Sequence, residues 1–173
     1  NKTNGVTQRR FLLAANPPLA RVLQHWLGDG WVSDLDQLTR LVDSAADPRL
    51  LAELAQAKRE NKQRLVALVE RRAGVTLLED AMYIVQVKRM HEYKRQLLNC
   101  LYLISEYQRE RVTELDTGPS RVFIFGGKAA PGYRRAKLII KLINEVASVV
   151  NADPRANRRL RAVLLPNYDV STA

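Results

Sequence analysis

Residues 87–99 read VKRMHEYKRQLLN, and this stretch decides the fold. It opens where the apolar run AMYIVQV (81–87) ends, and it leads into Leu97, Leu98, Leu101 and Ile104, spaced as one face of a helix over about Tyr93 to Arg109. A short β-branched run, a polar turn and then a helical period make the first half of a strand–helix–strand unit. The succession repeats. RVFIF (121–125) is followed by a helical pattern over Tyr133 to Val150, carried by Leu138, Ile139, Leu142, Ile143, Val146 and Val149. A short helical turn after Asp153 and Pro154 then leads to RAVLL (161–165). Strand, helix, strand, helix, strand at this spacing predicts an α/β fold: a three-stranded parallel sheet with right-handed crossovers, flanked by helices.

The preceding residues read as helices. Asn16 before Pro17 and Pro18 is a cap followed by proline, and Leu19, Val22, Leu23, Trp26 and Leu27 form one face before Gly28 stops it. Ser33 with Asp36 resembles a capping box, opening a second helix with Leu35, Leu38, Leu41 and Val42 on its face. Asp47 and Pro48 open a third, which runs through Leu51, Leu54, Leu65, Leu68 and Val69 to Gly74. The expected organisation is a mainly helical segment, residues 1–80, followed by a β-α-β-α-β half of a Rossmann-like domain, residues 81–173.

The 173 residues, 46% apolar and 27% charged, suit a globular protein with a real core. Lys and Arg outnumber Asp and Glu 28 to 18, a net charge of +10 that favours anionic partners. Apolar stretches such as FLLAA and AVLL fall far below the roughly 18 residues of a membrane span. No basic-then-apolar leader opens the chain, so a cytoplasmic protein without membrane contact is expected. The single cysteine, Cys100, lies on an apolar face and reads as a buried, inert thiol.

Ligands of open parallel sheets bind outside the carboxyl ends of the strands. The segments that follow the three strands are KRMHEYKR, GGKAAPGY and PNYDVS, which bring charge, glycine and tyrosine to one edge. A phosphate suits such an edge, because helix N-termini offer free N–H groups, arginine binds phosphate bidentately and lysine acts as a point charge. Arg89, Lys94 and Lys88 are the candidates. Charge alone leaves a solvated helix face as an equal reading; against it, cations beside a helix N-terminus oppose the macrodipole unless an anion is present. GGKAAPGY lacks the earlier glycine and the Ser or Thr after Lys128 of a triphosphate-binding loop, and a plain strand-to-helix turn stays open for it. HEYKR has Arg95 where a zinc protease needs its second histidine, so no metal site is expected. His25 beside Trp26 reads as a surface or packing residue, and Tyr93, Tyr133 and Tyr168, taken singly, as half-buried core aromatics.

Taken together, NKTNGVTQRR, SDLDQL, ENK, VKRMHEYKRQLLNCL, GGKAAPGY, VVNADP and LPNYDVS resemble, in order and spacing, the α-glucan phosphorylases, the glycogen and maltodextrin phosphorylase family. The resemblance covers essentially the whole chain, and HEYKRQLLN with GGKAAPGY is its most specific part. It implies a glycosyltransferase B-type fold, two facing Rossmann-like domains with pyridoxal phosphate between them. The implied reaction moves the terminal glucose of an α-1,4-glucan onto inorganic phosphate, giving glucose 1-phosphate with retained configuration. The cofactor's phosphate does acid–base work beside the substrate phosphate, and crowding two phosphates calls for many cations. By resemblance, Arg89 and Lys94 bind the substrate phosphate, Lys88 lies near the cofactor phosphate, Tyr168 lines the cofactor pocket, and Tyr93 and Asn4 reach the glucose.

The chain departs from the family pattern at Gln8 and Phe11, where Pro and Trp are usual, and at Asp169, where animal enzymes carry an arginine near the cofactor. The family attaches its cofactor to a lysine in a GTGNMK-like segment downstream of the third strand, and no lysine follows Lys141 here. The sequence therefore reads as a fragment, the first half of the C-terminal cofactor domain, inactive alone, from a homo-oligomeric cytoplasmic enzyme. The first strand of such a sheet is central, so the fragment is expected to leave the edge of residues 81–87 bare and to self-associate through it. Two other readings are a phosphorylase-derived scaffold without catalysis and a basic nucleic-acid-binding module; the latter would need a continuous basic face with stacking aromatics.

Overall fold

Asn16 caps the first helix: its Oδ1 accepts from the Leu19 amide at 3.2 Å, with prolines filling the first turn. In this computed structural model, which describes residues 7–112 and 118–168, that helix is α1 (Pro17–Leu27), and it ends at Gly28 with φ of 76°. The chain divides into two compact units, Asn1–Leu65 and Val66–Ala173. In the first, Leu23 and Leu27 of α1 pack with Trp31, Leu38 and Leu41, while Val22 packs with Leu50 and Ala57 of α2 (Pro48–Ala73). Gln8, where proline is usual, donates from Nε2 to the Val32 carbonyl at 3.1 Å.

The expected second helix differs in kind and start. Leu35–Ser44 is a 3-10 helix, capped not by Ser33 but by Asp34, whose side chain accepts from Asp36 N at 3.2 Å. Ser33 Oγ instead donates back to the Gly30 carbonyl. The three-residue spacing of Leu35, Leu38 and Leu41 matches the 3-10 period, which stacks them along one edge.

In the second unit the strands are β1 (Met82–Val87), β2 (Arg121–Gly127) and β3 (Leu160–Pro166), parallel and in the order β1-β2-β3. Helix α3 (Gln96–Val112) lies between the first two in sequence, and α4 (Arg134–Ala152) between the last two. Both helices share a core with one sheet face: Cys100 and Leu103 of α3 and Ala136, Ile139 and Ile143 of α4 meet Phe123, Phe125, Ala162 and Leu164. Val122, Ile124, Val163 and Leu165, which alternate with these, are buried too, so β2 and β3 are covered on both faces. The segment after Asp153 forms turns only, the first closed by Asp153 accepting from Arg155 N at 2.9 Å.

The two flanks of the sheet differ. Asn151 at the end of α4 takes the main chain of Ala162 with both ends of its amide, donating to the carbonyl at 2.8 Å and accepting from the amide at 3.1 Å. That side chain seals the outer edge of β3. On β1, Met82 and Val85 are exposed, and so are Leu97, Leu98 and Leu101 of α3. Of the helix face expected to be core, Leu97, Leu98 and Leu101 are therefore turned outward while Ile104 packs on the core; Cys100 is buried as expected, and Gln96 and Leu103 are buried with it.

Candidate phosphate site

The loop that leaves β1 is anchored at two points. Lys88 N donates to the Gly126 carbonyl at 2.9 Å, and Met90 N donates to the Lys128 carbonyl at 3.2 Å. The Met90 side chain is buried in the core, so Lys88 and Arg89 sit on a short tether with their side chains exposed. Two glycines make room. A Cβ on Gly127, whose φ is +154°, would collide with the Lys88 carbonyl, and one on Gly126 would meet Val87 Cγ1 at 2.9 Å and Tyr168 Cβ at 3.5 Å. Glycine's lack of a Cβ thus brings the loops after all three strands together. Tyr168 follows Asn167, which adopts a left-handed φ of 52° at the end of β3.

Beyond Met90 the chain makes a 3-10 turn at Glu92–Lys94 and passes through Arg95, left-handed at φ 60°, into α3. The continuous helix expected from Tyr93 thus starts at Gln96 instead. His91 contacts the rings of Tyr93 and Tyr133 at centroid distances of 4.2 and 5.0 Å. Tyr133, from the second loop, donates its hydroxyl to Glu92 Oε2 at 2.6 Å and accepts from Glu92 N at 3.2 Å. Arg135 Nη1 donates to Glu92 Oε1 at 3.0 Å. The Tyr133 hydroxyl first, and Arg135 second, hold the Glu92 carboxyl below its usual range, while the same bond to Glu92 pushes the Tyr133 hydroxyl up.

Glu92 is occupied by those two partners. Among the described residues, none of Lys88, Arg89 and Lys94 has a carboxylate within ion-pair distance. Lys94 Nζ lies 5.7 Å from the centre of the Tyr93 ring. Tyr93 is 69% exposed and is not the half-buried core aromatic its sequence context suggests; Tyr133 and Tyr168 are half-buried as expected. Asn4 and Asp169 lie outside the described residues. Away from this edge, His25 is exposed and pairs with Glu53 at 3.2 Å beside Trp26, a surface role. Cys100 is fully buried, and burial pushes its thiol up. Among the described residues no group of His, Cys, Asp and Glu could hold a metal ion, and no helix is long and apolar enough to cross a membrane. Sequence reasoning missed Glu92, Arg135 and Gln96.

Fold and site together define an α/β protein with a candidate anion site at the carboxyl edge of a parallel sheet. The family model for carbohydrate phosphorylase matches residues 1–173, and the chain belongs to that family. Across all 173 residues it is 49% identical to human liver glycogen phosphorylase, 47% to the mouse muscle form and 45% to the bovine brain form. The chain spans about a fifth of the length of these relatives.

Proposed function

We propose that this chain is part of an α-glucan phosphorylase, which transfers the terminal α-1,4-linked glucose to inorganic phosphate and releases glucose 1-phosphate with retained configuration. The observation that carries the reading is the group of cations where the strands end that, among the described residues, meet no carboxylate partner, in a chain of this family. Arg89 binds the substrate phosphate through its planar fork and Lys94 adds a second positive charge, so the dianion replaces water without a net electrostatic penalty. Tyr93, exposed beside Lys94, and Asn4 contact the glucose.

Pyridoxal phosphate is the implied cofactor, and the residues present fit part of it. A cation, Lys88, and an aromatic side chain, Tyr168, stand on the loops that Gly126 and Gly127 let approach each other. Lys88 pairs with the cofactor phosphate and Tyr168 lines its pocket. When bound, the cofactor supplies a second phosphate group for acid–base work beside the first. The GTGNMK-like segment that carries the cofactor in this family does not occur in these residues, so the 173 residues alone are inactive.

The parent enzyme is cytoplasmic and homo-oligomeric. The isolated chain self-associates through β1, whose alternation points the main chain of Val85 and Val87 away from β2. Free exchange of those two amides in a stable monomer would contradict this. The test of the function is release of glucose 1-phosphate from maltodextrin by the full-length protein. Release that requires both phosphate and pyridoxal phosphate is expected; none under saturating conditions would favour a non-catalytic scaffold. Binding that weakens steeply with salt and does not discriminate among polyanions would favour the nucleic-acid module.

A further inference from the structure

We propose that three side-chain amides, Gln86, Gln96 and Asn99, are positioning residues for the substrate phosphate, clamping the main chain of the two residues read as its ligands. The inference rests on that reading of Arg89 and Lys94. Gln96 is 1% exposed and, among the described residues, the one buried polar side chain. An amide in a core is costly unless both of its ends are bonded. Its Nε2 donates to the Arg89 carbonyl at 3.1 Å, and its Oε1 accepts from His91 N at 3.4 Å. Gln86, on β1, donates from Nε2 to the Lys94 carbonyl at 3.0 Å, and its Oε1 accepts from Asn99 Nδ2 at 3.1 Å. Each proposed phosphate ligand thus has its own carbonyl held by a glutamine, and Asn99 fixes which way one of those glutamines faces.

Electrostatics explains why amides occupy these places. Like charges on Lys88, Arg89 and Lys94 disfavour close approach of their side chains, and the turn that presents Lys94 passes through the left-handed Arg95, so a hold on each main-chain carbonyl sets where the charge is presented. A carboxylate could hold the loop, but would pair with the cations and compete with phosphate. A neutral amide holds the backbone and leaves the charge available. An ångström of misplacement at a charged ligand is enough to change turnover or binding by one to two orders of magnitude.

The test uses the full-length protein that carries this chain, with inorganic phosphate and maltodextrin varied separately. Gln86→Leu is expected to raise KM for phosphate roughly tenfold, the loss of about one well-aligned charged contact, and to leave KM for maltodextrin within about twofold. Gln86→Glu keeps the shape and the Asn99 bond, loses the donor to the Lys94 carbonyl and adds a competing charge, so it raises KM for phosphate further. Asn99→Ala, at a half-buried position, is a milder variant that folds if Gln86→Leu does not, and gives a smaller rise in the same constant. Ile143→Val, in the same core but far from these loops in sequence, lowers the melting temperature without moving either KM. Equal changes in both KM values, or a loss of stability alone as in Ile143→Val, would overturn the clamp while leaving the function intact. Wild-type turnover that does not depend on phosphate would overturn the reading of Arg89 and Lys94, and the clamp with it.

Discussion

At the amino end of the sheet, Arg121 and Arg159 reach Glu106 and Glu110 of α3 at 3.1 and 3.2 Å, and Arg109 bonds both glutamates. Arg111 joins Asp153 beside them at 3.4 Å, with Tyr107 donating to the same carboxylate. At the carboxyl end, Lys88, Arg89 and Lys94 meet no carboxylate among the described residues. The contrast separates two uses of positive charge. Where arginine fastens helix to strand, a carboxylate cancels its field and lets it be half-buried; where cations stand at the surface without a carboxylate among the described residues, their charge stays available to an anion. Net charge alone hides this difference, since both groups count equally toward the +10.

Gly127→Ala attacks the open end most severely. Its Cβ would be driven into the Lys88 carbonyl, so a loss of about 3 kcal/mol is expected in urea unfolding; an unchanged midpoint would mean that the loops do not meet as described. Glu106→Ala attacks the paired end. With Glu106 and Arg121 only 12% and 17% exposed, stranding Arg121 should cost about 2 kcal/mol. Phosphate affinity should not change, and a parallel fall in it would erase the distinction between the two ends. Lys94→Ala should do the reverse, weakening phosphate binding roughly tenfold while stability stays within about 0.5 kcal/mol.

The smallest effect concerns the Glu92 latch. Its carboxyl is held below the ordinary value of about 4.3. The stabilisation from Tyr133 and Arg135 is therefore fully present above that value and is lost as pH falls through the lower, folded one. Carbon NMR should show Glu92 titrating below free glutamate, with the Tyr133 ring shifting in step; titration at or above the free value would remove the latch.

The three strands were legible because AMYIVQV, RVFIF and RAVLL are short, β-branched and separated by helical periods, and the edge that carries the charge followed from the strand-end rule. The facing of α3 was not. Leu97, Leu98 and Leu101 lead into Ile104 as one apolar stripe, and Cys100, Leu103 and Tyr107 form with that same Ile104 another. Which stripe meets the sheet is set by the phase in which the helix starts, and that phase is fixed by the left-handed Arg95 and by Gln96 entering the core. Periodicity carries no information about either. The bonds from Tyr133 and Arg135 to Glu92 span 41 and 43 residues, so only the parallel pairing of β1 with β2 brings them together. Arg89, Lys94 and Lys88 were candidates by charge and position and Tyr93 by resemblance, whereas Gln86 and Gln96, which bond the Lys94 and Arg89 carbonyls, look like ordinary polar residues until their partners are seen.

The most direct test is an equilibrium titration of the full-length protein with inorganic phosphate, comparing wild type, Arg89→Ala and Glu106→Ala. Saturable binding in the wild type, weakened roughly 10- to 100-fold by Arg89→Ala and untouched by Glu106→Ala, is the predicted result. Binding that is absent from the wild type, or that both substitutions weaken alike, would contradict the assignment of the unpaired cations as the phosphate site.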